Sequence, residues 1–304
     1  MPKAKRVVIL SLGDTHCGMR NGLIAPGTEL DYGVGSETET ATPELSDWSK
    51  WLWDEVWIPS VETVIDIAGR DPLIVAHSGD FVHGSKHVST ESLYSPHITH
   101  QIKIAKMAME PLRKAKTLAA FLIAFGTESH DYGANSAAIE IARSFGNWGW
   151  LAKADYHFKY MIDGFCLDLS HDGPRVSMIP HLRSNSARRY GEDKIRDAVD
   201  YGVRYSQLYQ RGHVHLRAFA PVSYRIGMEM HRTNVMVTPP MCGPNRYARQ
   251  AARSQDYTEC GVYLWEIVDG KICEVKPLMY RKDNRSTHLM PDKVIYFNRK
   301  QKVK

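Results

Sequence analysis

Apolar residues in this chain gather into continuous runs separated by amphipathic or polar stretches. Residues 7–12, 73–76 and 118–125 are such runs, the first rich in β-branched side chains. A run without polar alternation suits a strand covered on both faces, as in a parallel sheet with helices between its strands. Thr42-Pro43-Glu44 reads as an N-cap followed by proline at the first helical position, and Trp48, Trp51, Leu52 and Val56 then give an apolar face. Pro59 should kink or restart that helix. Residues 98–116 and 136–145 predict further helices. Strand–helix–strand alternation in the first half argues an α/β fold.

The pattern changes in the second half. Residues 156–162 and 165–169 flank Asp163-Gly164, and residues 262–268 and 271–275 flank Asp269-Gly270. Asp-Gly between two apolar runs is a two-residue hairpin signal. A parallel first half and a hairpin-built second half predict two sheets packed face to face, with helices outside. Three polar stretches, 18–41, 83–96 and 239–257, read as surface loops, the last carrying a cluster of arginines. The basic tail 281–304 should fray at its end.

The 304 residues allow one or two domains. The chemistry-bearing motifs run from Asp14 to His215, which favours a single domain over 1–304. A net charge of +5 is compatible with an anionic substrate. Five scattered cysteines with no C-x-x-C predict reduced thiols and a cytoplasmic setting. The run 7–12 is too short for a signal peptide and leads straight to Asp14, and no run is long enough to span a membrane.

Five motifs carry the candidate chemistry: Gly13-Asp14-Thr15-His16, Gly79-Asp80, the segment Gly126-Thr127-Glu128-Ser129-His130-Asp131, Ser170-His171-Asp172-Gly173 and Gly212-His213-Val214-His215. Carboxylates and imidazoles are ligands for hard-to-borderline divalent ions, and this set is large enough for two. Each motif alone is weak: Asp-x-His is common, and Gly-Asp is an ordinary strand-end turn. In an extended Gly212–His215 segment, alternation would send both imidazoles to one face.

In this order the motifs resemble those of the calcineurin-like metallophosphoesterase family. The resemblance implies a two-sheet β-sandwich flanked by helices. It implies that Asp14, His16 and His215 bind one metal, that His171 and His213 bind a second, and that Asp80 bridges both. Manganese is the favoured ion, and iron, zinc or nickel fit similar ligands. A carboxylate between two cations offsets their repulsion, and water held between them loses a proton and attacks phosphorus. The expected activity is a phosphodiesterase acting on a nucleotide or nucleic acid. The alternatives are a phosphomonoesterase or protein phosphatase, and a non-catalytic scaffold of the same fold. Scaffold members tend to lose ligands, whereas here only one asparagine is missing.

That departure lies in the third motif, where the family has Gly-Asn-His-Asp or Gly-Asn-His-Glu. Either Ser129 or Thr127 stands in the asparagine's place, depending on alignment. A neutral hydroxyl is a weak ligand, so His130 is expected as a metal ligand or as the acid, with Asp131 orienting it. His83, three residues after Asp80, could touch substrate phosphate or be an ordinary loop histidine. Arg246, Arg249 and Arg253 fall on one face if their segment is helical and could grip a phosphate backbone, or form a solvated basic face. Arg183, Arg188 and Arg189 carry the same two readings. Trp48, Trp51, Trp53 and Trp57 read as packing, and His77 has no motif context.

Overall fold

A computed structural model of the protein describes residues 5–33, 39–85, 92–130, 136–176, 182–244 and 257–283. The chain begins with strands β1 (Arg6–Leu12), β2 (Leu30–Asp31) and β3 (Thr40–Ala41). Helix α1 (Asp47–Trp51), a π-helical segment (Leu52–Trp57) and α2 (Ile58–Ala68) lead to β4 (Leu73–His77). Then come α3 (Ile98–Met109), a 3-10 turn (Glu110–Lys114), β5 (Leu118–Ala124), α4 (Ser136–Gly146) and β6 (Leu151–Asp155). Strands β7 (His157–Ile162) and β8 (Phe165–Ser170) precede α5 (Arg183–Asp200). The described chain ends with β9 (Leu208–Arg211), β10 (Ala218–Ile226), β11 (Glu229–Val237), β12 (Tyr257–Val268) and β13 (Lys271–Asp283).

Two sheets face each other. One runs β13-β12-β1-β4-β5-β6 and the other β10-β11-β9-β8-β7. Between them lies an apolar layer that includes Ile9, Ile74, Leu122, Phe165, Leu167, Met236 and Trp265. Each large side chain fully buried there contributes about 1.5–3 kcal/mol. The outer face of the first sheet packs through Val8, Leu10 and Leu12 against residues of the first four helices, among them Trp48, Val64, Ile104 and Ile141, and against Trp57 of the π segment. The outer face of the second sheet is covered by α5 through Ala187 and Ile195. The fold is therefore an α/β two-sheet sandwich with helices on both outer faces.

Parallel pairing gives the sandwich a functional end. Strands β1, β4 and β5 are parallel neighbours, and β8 is parallel to β9. Motifs one to three follow the carboxyl ends of the first three, and motifs four and five follow β8 and β9. Loops gather at carboxyl strand ends in parallel sheets, which makes that rim the usual place for a site. A buried polar tie holds the two sheets in register there. Ser11 Oγ donates to Gln210 Oε1 at 2.6 Å, and Gln210 Nε2 donates to the Ala76 carbonyl at 2.8 Å.

Several expectations are corrected. The Asp269-Gly270 hairpin forms, but it joins the first sheet, with β12 antiparallel to β1. The second sheet is mixed rather than built of hairpins alone, since β9 is parallel to both β8 and β11. The first helix starts at Asp47, because Ser46 Oγ accepts from the Ser49 amide and caps it there. Pro59 falls where the π segment gives way to α2, so the helix changes its hydrogen-bond pattern there and runs on without a break, in line with the expected restart. Helix α3 stops at Met109 and gives way to a 3-10 turn that contains Pro111.

The stretch 18–41 is not a surface loop in its described part. Met19, Leu23, Ile24, Ala25 and Leu30 are buried, and the Leu23 amide donates to the Thr15 carbonyl beneath motif one. Likewise His83, Leu93, Tyr94 and Ser95 are buried within the stretch 83–96. The tail's first residues, 281–283, belong to β13, and 284–304 lie outside the described residues. No helix among the described residues is long and apolar enough to cross a membrane. All five cysteines are unpaired, four of them buried.

Candidate metal centre

The site begins with backbone strain. Seven described non-glycine residues have positive φ: Asp14, His16, Asp80, His213, His215, Asp163 and Asp269. Asp163 and Asp269 are the first residues of the two Asp-Gly hairpin turns, where that conformation is required. The other five are predicted site residues. Left-handed backbone at such residues costs about 1–3 kcal/mol each and persists where the surroundings impose it, most often at functional sites. Gly212–His215 is thus a turn and not an extended segment, and its two histidines point to different places.

Four donor groups result among the described residues: His16 meets His83 with His130, and His215 with Cys242, and the other two groups share Asp80. Asp14, His16, Asp80 and His215 form one, and Asp80, His171 and His213 form the other; within each group the ligand atoms lie within 4.8 Å of one another. Asp80 Oδ2 is the point of convergence, 3.2 Å from His171 Nε2 and 3.9 Å from both His16 Nε2 and His130 Nε2. His16 Nε2 lies 2.9 Å from His215 Nε2, which is 4.0 Å from Asp14 Oδ1. The His213 amide donates to Asp14 Oδ1 at 3.1 Å, tying motif five to motif one.

Glycines allow this closeness. A Cβ on Gly126 would stand 2.2 Å from Asp80 Oδ1, and one on Gly79, at φ +101, would stand 2.5 Å from His171 Nδ1. Either position would force the loops apart.

Burial and the crowding of ionisable groups shift the titration of the cluster. Burial pushes the Asp14 carboxyl up to about 7, and the Asp80 charge adds to that against His171. Burial also acts to lower His171, but the Asp80 carboxylate, with Asp14 and the Ser78 carbonyl, raises it to about 9. Burial and then His130 and His215 hold His16 well below the ordinary range. Burial lowers His215 to about 4 and His83 to about 3. Neutral imidazoles are the metal-binding form.

Two buried atoms fit the same reading. Asp14 Oδ2 and His171 Nε2 make no hydrogen bond of good geometry. His171 Nδ1 donates to the Ser78 carbonyl at 2.7 Å. Whenever the ring is neutral, that leaves a bare Nε2 lone pair aimed at the Asp80 carboxylate, 3.2 Å away. Two facing lone pairs in a buried place need a proton or a cation between them. The mixed nitrogen and oxygen donor set suits a borderline divalent ion.

Several residues support the donors in ways that the sequence does not show. Thr127, weighed as a replacement for asparagine, instead serves Asp80: its amide and Oγ1 both donate to Asp80 Oδ1, at 2.8 and 3.2 Å. Ser129 Oγ lies 3.1 Å from Thr127 Oγ1. His77 is fully buried and stacks on Phe81. Its Nδ1 accepts from the Gly79 amide, so Nε2 carries the proton and donates to Thr15 Oγ1 at 3.1 Å. One ring thereby joins the turns that carry Asp14 and Asp80. Cys242 Sγ lies 3.8 Å from His215 Nδ1.

His130 comes into the cluster, with Nδ1 donating to the His83 carbonyl at 2.5 Å. His83 is buried, and its Nδ1 is 3.0 Å from His16 Nδ1, so it faces the histidine cluster rather than solvent. Arg183 is buried and 3.9 Å from Glu259, while Arg188 is exposed and pairs with Glu192. Trp48 and Trp57 are buried packing residues. Asp131, Arg246, Arg249 and Arg253 lie outside the described residues.

No protein-family model and no curated protein matches this chain. Solved structures that align with it include an archaeal phosphodiesterase, 13% identical over 90% of this chain and 99% of the other, at a TM-score of 0.39. A metallophosphoesterase from Sphaerobacter thermophilus is 13% identical over 91% of this chain and 88% of its own, at 0.33. Vps29 from Entamoeba histolytica is 11% identical over 90% of this chain and 99% of its own, at 0.30. In its facing sheets and in the order of its strand-end motifs, the chain resembles the calcineurin-like metallophosphoesterases.

Proposed function

We propose that the protein is a two-metal phosphoesterase, with Asp14, His16 and His215 holding one ion, His171 and His213 the other, and Asp80 bridging. The observation that carries this reading is the pair of donor groups sharing the single carboxylate of Asp80. When bound, two divalent ions neutralise phosphate charge and lower the pKa of water. Manganese is the favoured ion. The residues do the rest. Thr127 fixes Asp80 Oδ1 and leaves Oδ2 toward the histidines. His213 is exposed, so the second group opens to solvent and gives substrate its way in. His130, with Nδ1 committed to the His83 carbonyl, presents Nε2 to the site as a further ligand or as the group that protonates the leaving oxygen. The motifs draw on strands from β1 to β9, which supports a single catalytic domain.

A phosphodiester of a nucleotide or nucleic acid is the proposed substrate, consistent with the chain's net positive charge. The test is the Mn²⁺-loaded protein on bis-p-nitrophenyl phosphate, p-nitrophenyl phosphate, cyclic nucleotides, and single- and double-stranded DNA. Preference for a diester is expected. A monoester preference would make the enzyme a phosphomonoesterase. Two bound ions with no turnover of any ester would overturn the catalytic reading.

His130→Ala separates its two roles. As a ligand, its loss lowers occupancy of the second ion, and added metal restores some activity. As the acid, metal content persists and the loss grows with the basicity of the leaving group.

A further inference from the structure

The second donor group depends on two loops, one after β8 carrying His171 and one after β9 carrying His213. On the outer face of the second sheet, beneath α5, three residues before His171 and two before His213, sits a buried ion pair. Asp168 and Arg211 are both about 2% exposed. Arg211 uses its whole fork. One terminal nitrogen donates to Asp168 Oδ1 at 2.5 Å, and the other to the carbonyls of Asp168 and Gln210, both at 2.8 Å. Nε donates to the Tyr190 hydroxyl of α5 at 3.0 Å, and the guanidinium lies over the rings of Tyr190 and Tyr209. His157 Nε2 lies 2.9 Å from Asp168 Oδ1 on the open side.

A buried ion pair is weak evidence for stability, because the desolvation of two charges offsets their attraction. This pair does something a hydrophobic pair could not: it grips a backbone carbonyl on each of the two strands. Directly beyond it, the Gly212 amide donates to the His171 carbonyl at 3.1 Å, so the two loops meet at the clamp's outer edge. Gly173 folds back onto the Arg211 stem, where a Cβ would stand 2.6 Å from Arg211 Cβ. Both loops are thus referenced to one guanidinium.

We propose that Asp168 and Arg211 are positioning residues that set His171 and His213 relative to each other. As a statement about metal affinity this rests on the metal-centre reading; as a statement about loop geometry it does not. Two variants separate positioning from stability. Arg211→Lys keeps the charge and loses the fork. The double variant Asp168→Leu/Arg211→Met replaces the pair with apolar groups, a change that buried pairs often tolerate without loss of stability.

Mn²⁺ titration of wild type and variants, followed by calorimetry, is expected to show the weaker ion loosened about tenfold in both, the scale for residues that orient ligands. The ion at Asp14, His16 and His215 should change less than threefold, since three of its four donors, Asp14, His16 and Asp80, come from the other sheet and only His215 follows β9. In the metal-free double variant, hydrogen exchange at the Gly212 amide should speed up at least tenfold. Its melting temperature should stay near that of the wild type. Unchanged Gly212 exchange, or a loss of both ions in equal proportion that tracks a fall in melting temperature, would overturn the proposal. A wild type that binds fewer than two ions would instead refute the metal-centre reading, and the Gly212 exchange would still decide the clamp.

Discussion

The two donor groups differ more in surroundings than in chemistry. Asp14, His16 and Asp80 are buried under the rim of the first sheet, and only His215 reaches across from the second. The other group has three donors, and its His213 is exposed. Closed sites hold metals, and sites with an open position use them. The inner ion is therefore expected to be the tightly held one, and the outer ion the exchangeable one that meets substrate. Asp80 belongs to both, so its substitution should collapse the distinction.

Asp80→Asn is the largest expected effect. It removes the charge that two cations share, and turnover of a generic diester should fall by about a thousandfold or more, the scale for loss of an essential group. Metal analysis should find both ions weakened. Loss of only one would show that Asp80 belongs to a single group.

The next effect is on pH. His171, raised to about 9 by Asp80 against burial, carries a proton at neutral pH that the outer ion must displace. The outer ion's affinity should fall about tenfold per pH unit below about 9. Asp14, raised to about 7 by burial, imposes the same competition on the inner ion only below about 7. Titrations between pH 7 and 9 should therefore find the inner affinity flat and the outer one rising. Parallel slopes would erase the contrast.

His213→Ala should weaken the outer ion by at least about tenfold and spare the inner one, measured by metal titration. Thr127→Val should give the smallest effect. It deletes the Oγ1 donor to Asp80 Oδ1 and keeps the amide donor, so a loss of several-fold to about tenfold in kcat/KM is expected. An unchanged rate would show that the amide alone suffices.

Much of this was legible in the sequence. Unbroken apolar runs marked β1, β4 and β5, and the motifs at their ends marked the rim. The Asp-Gly turns were read correctly as hairpins, but a turn says nothing about which sheet its strands join, so the place of β12 beside β1 was missed. The alternation argument for Gly212–His215 failed because tertiary contacts hold His213 and His215 in left-handed backbone. Residues 18–41 looked polar on average, and the average hid Leu23 and Ile24 in the core. The roles of Thr127, His77 and Arg211 could not be read, since hydroxyls, lone histidines and lone arginines acquire meaning only from the groups they face.

The central claim is that two ions share Asp80. Electron paramagnetic resonance of protein loaded with two equivalents of Mn²⁺ tests it directly, because ions joined by one carboxylate are exchange-coupled. The expected result is a coupled dinuclear spectrum in the wild type that turns to that of isolated Mn²⁺ in Asp80→Asn. A wild-type spectrum of isolated Mn²⁺ only, at full loading, would contradict the claim.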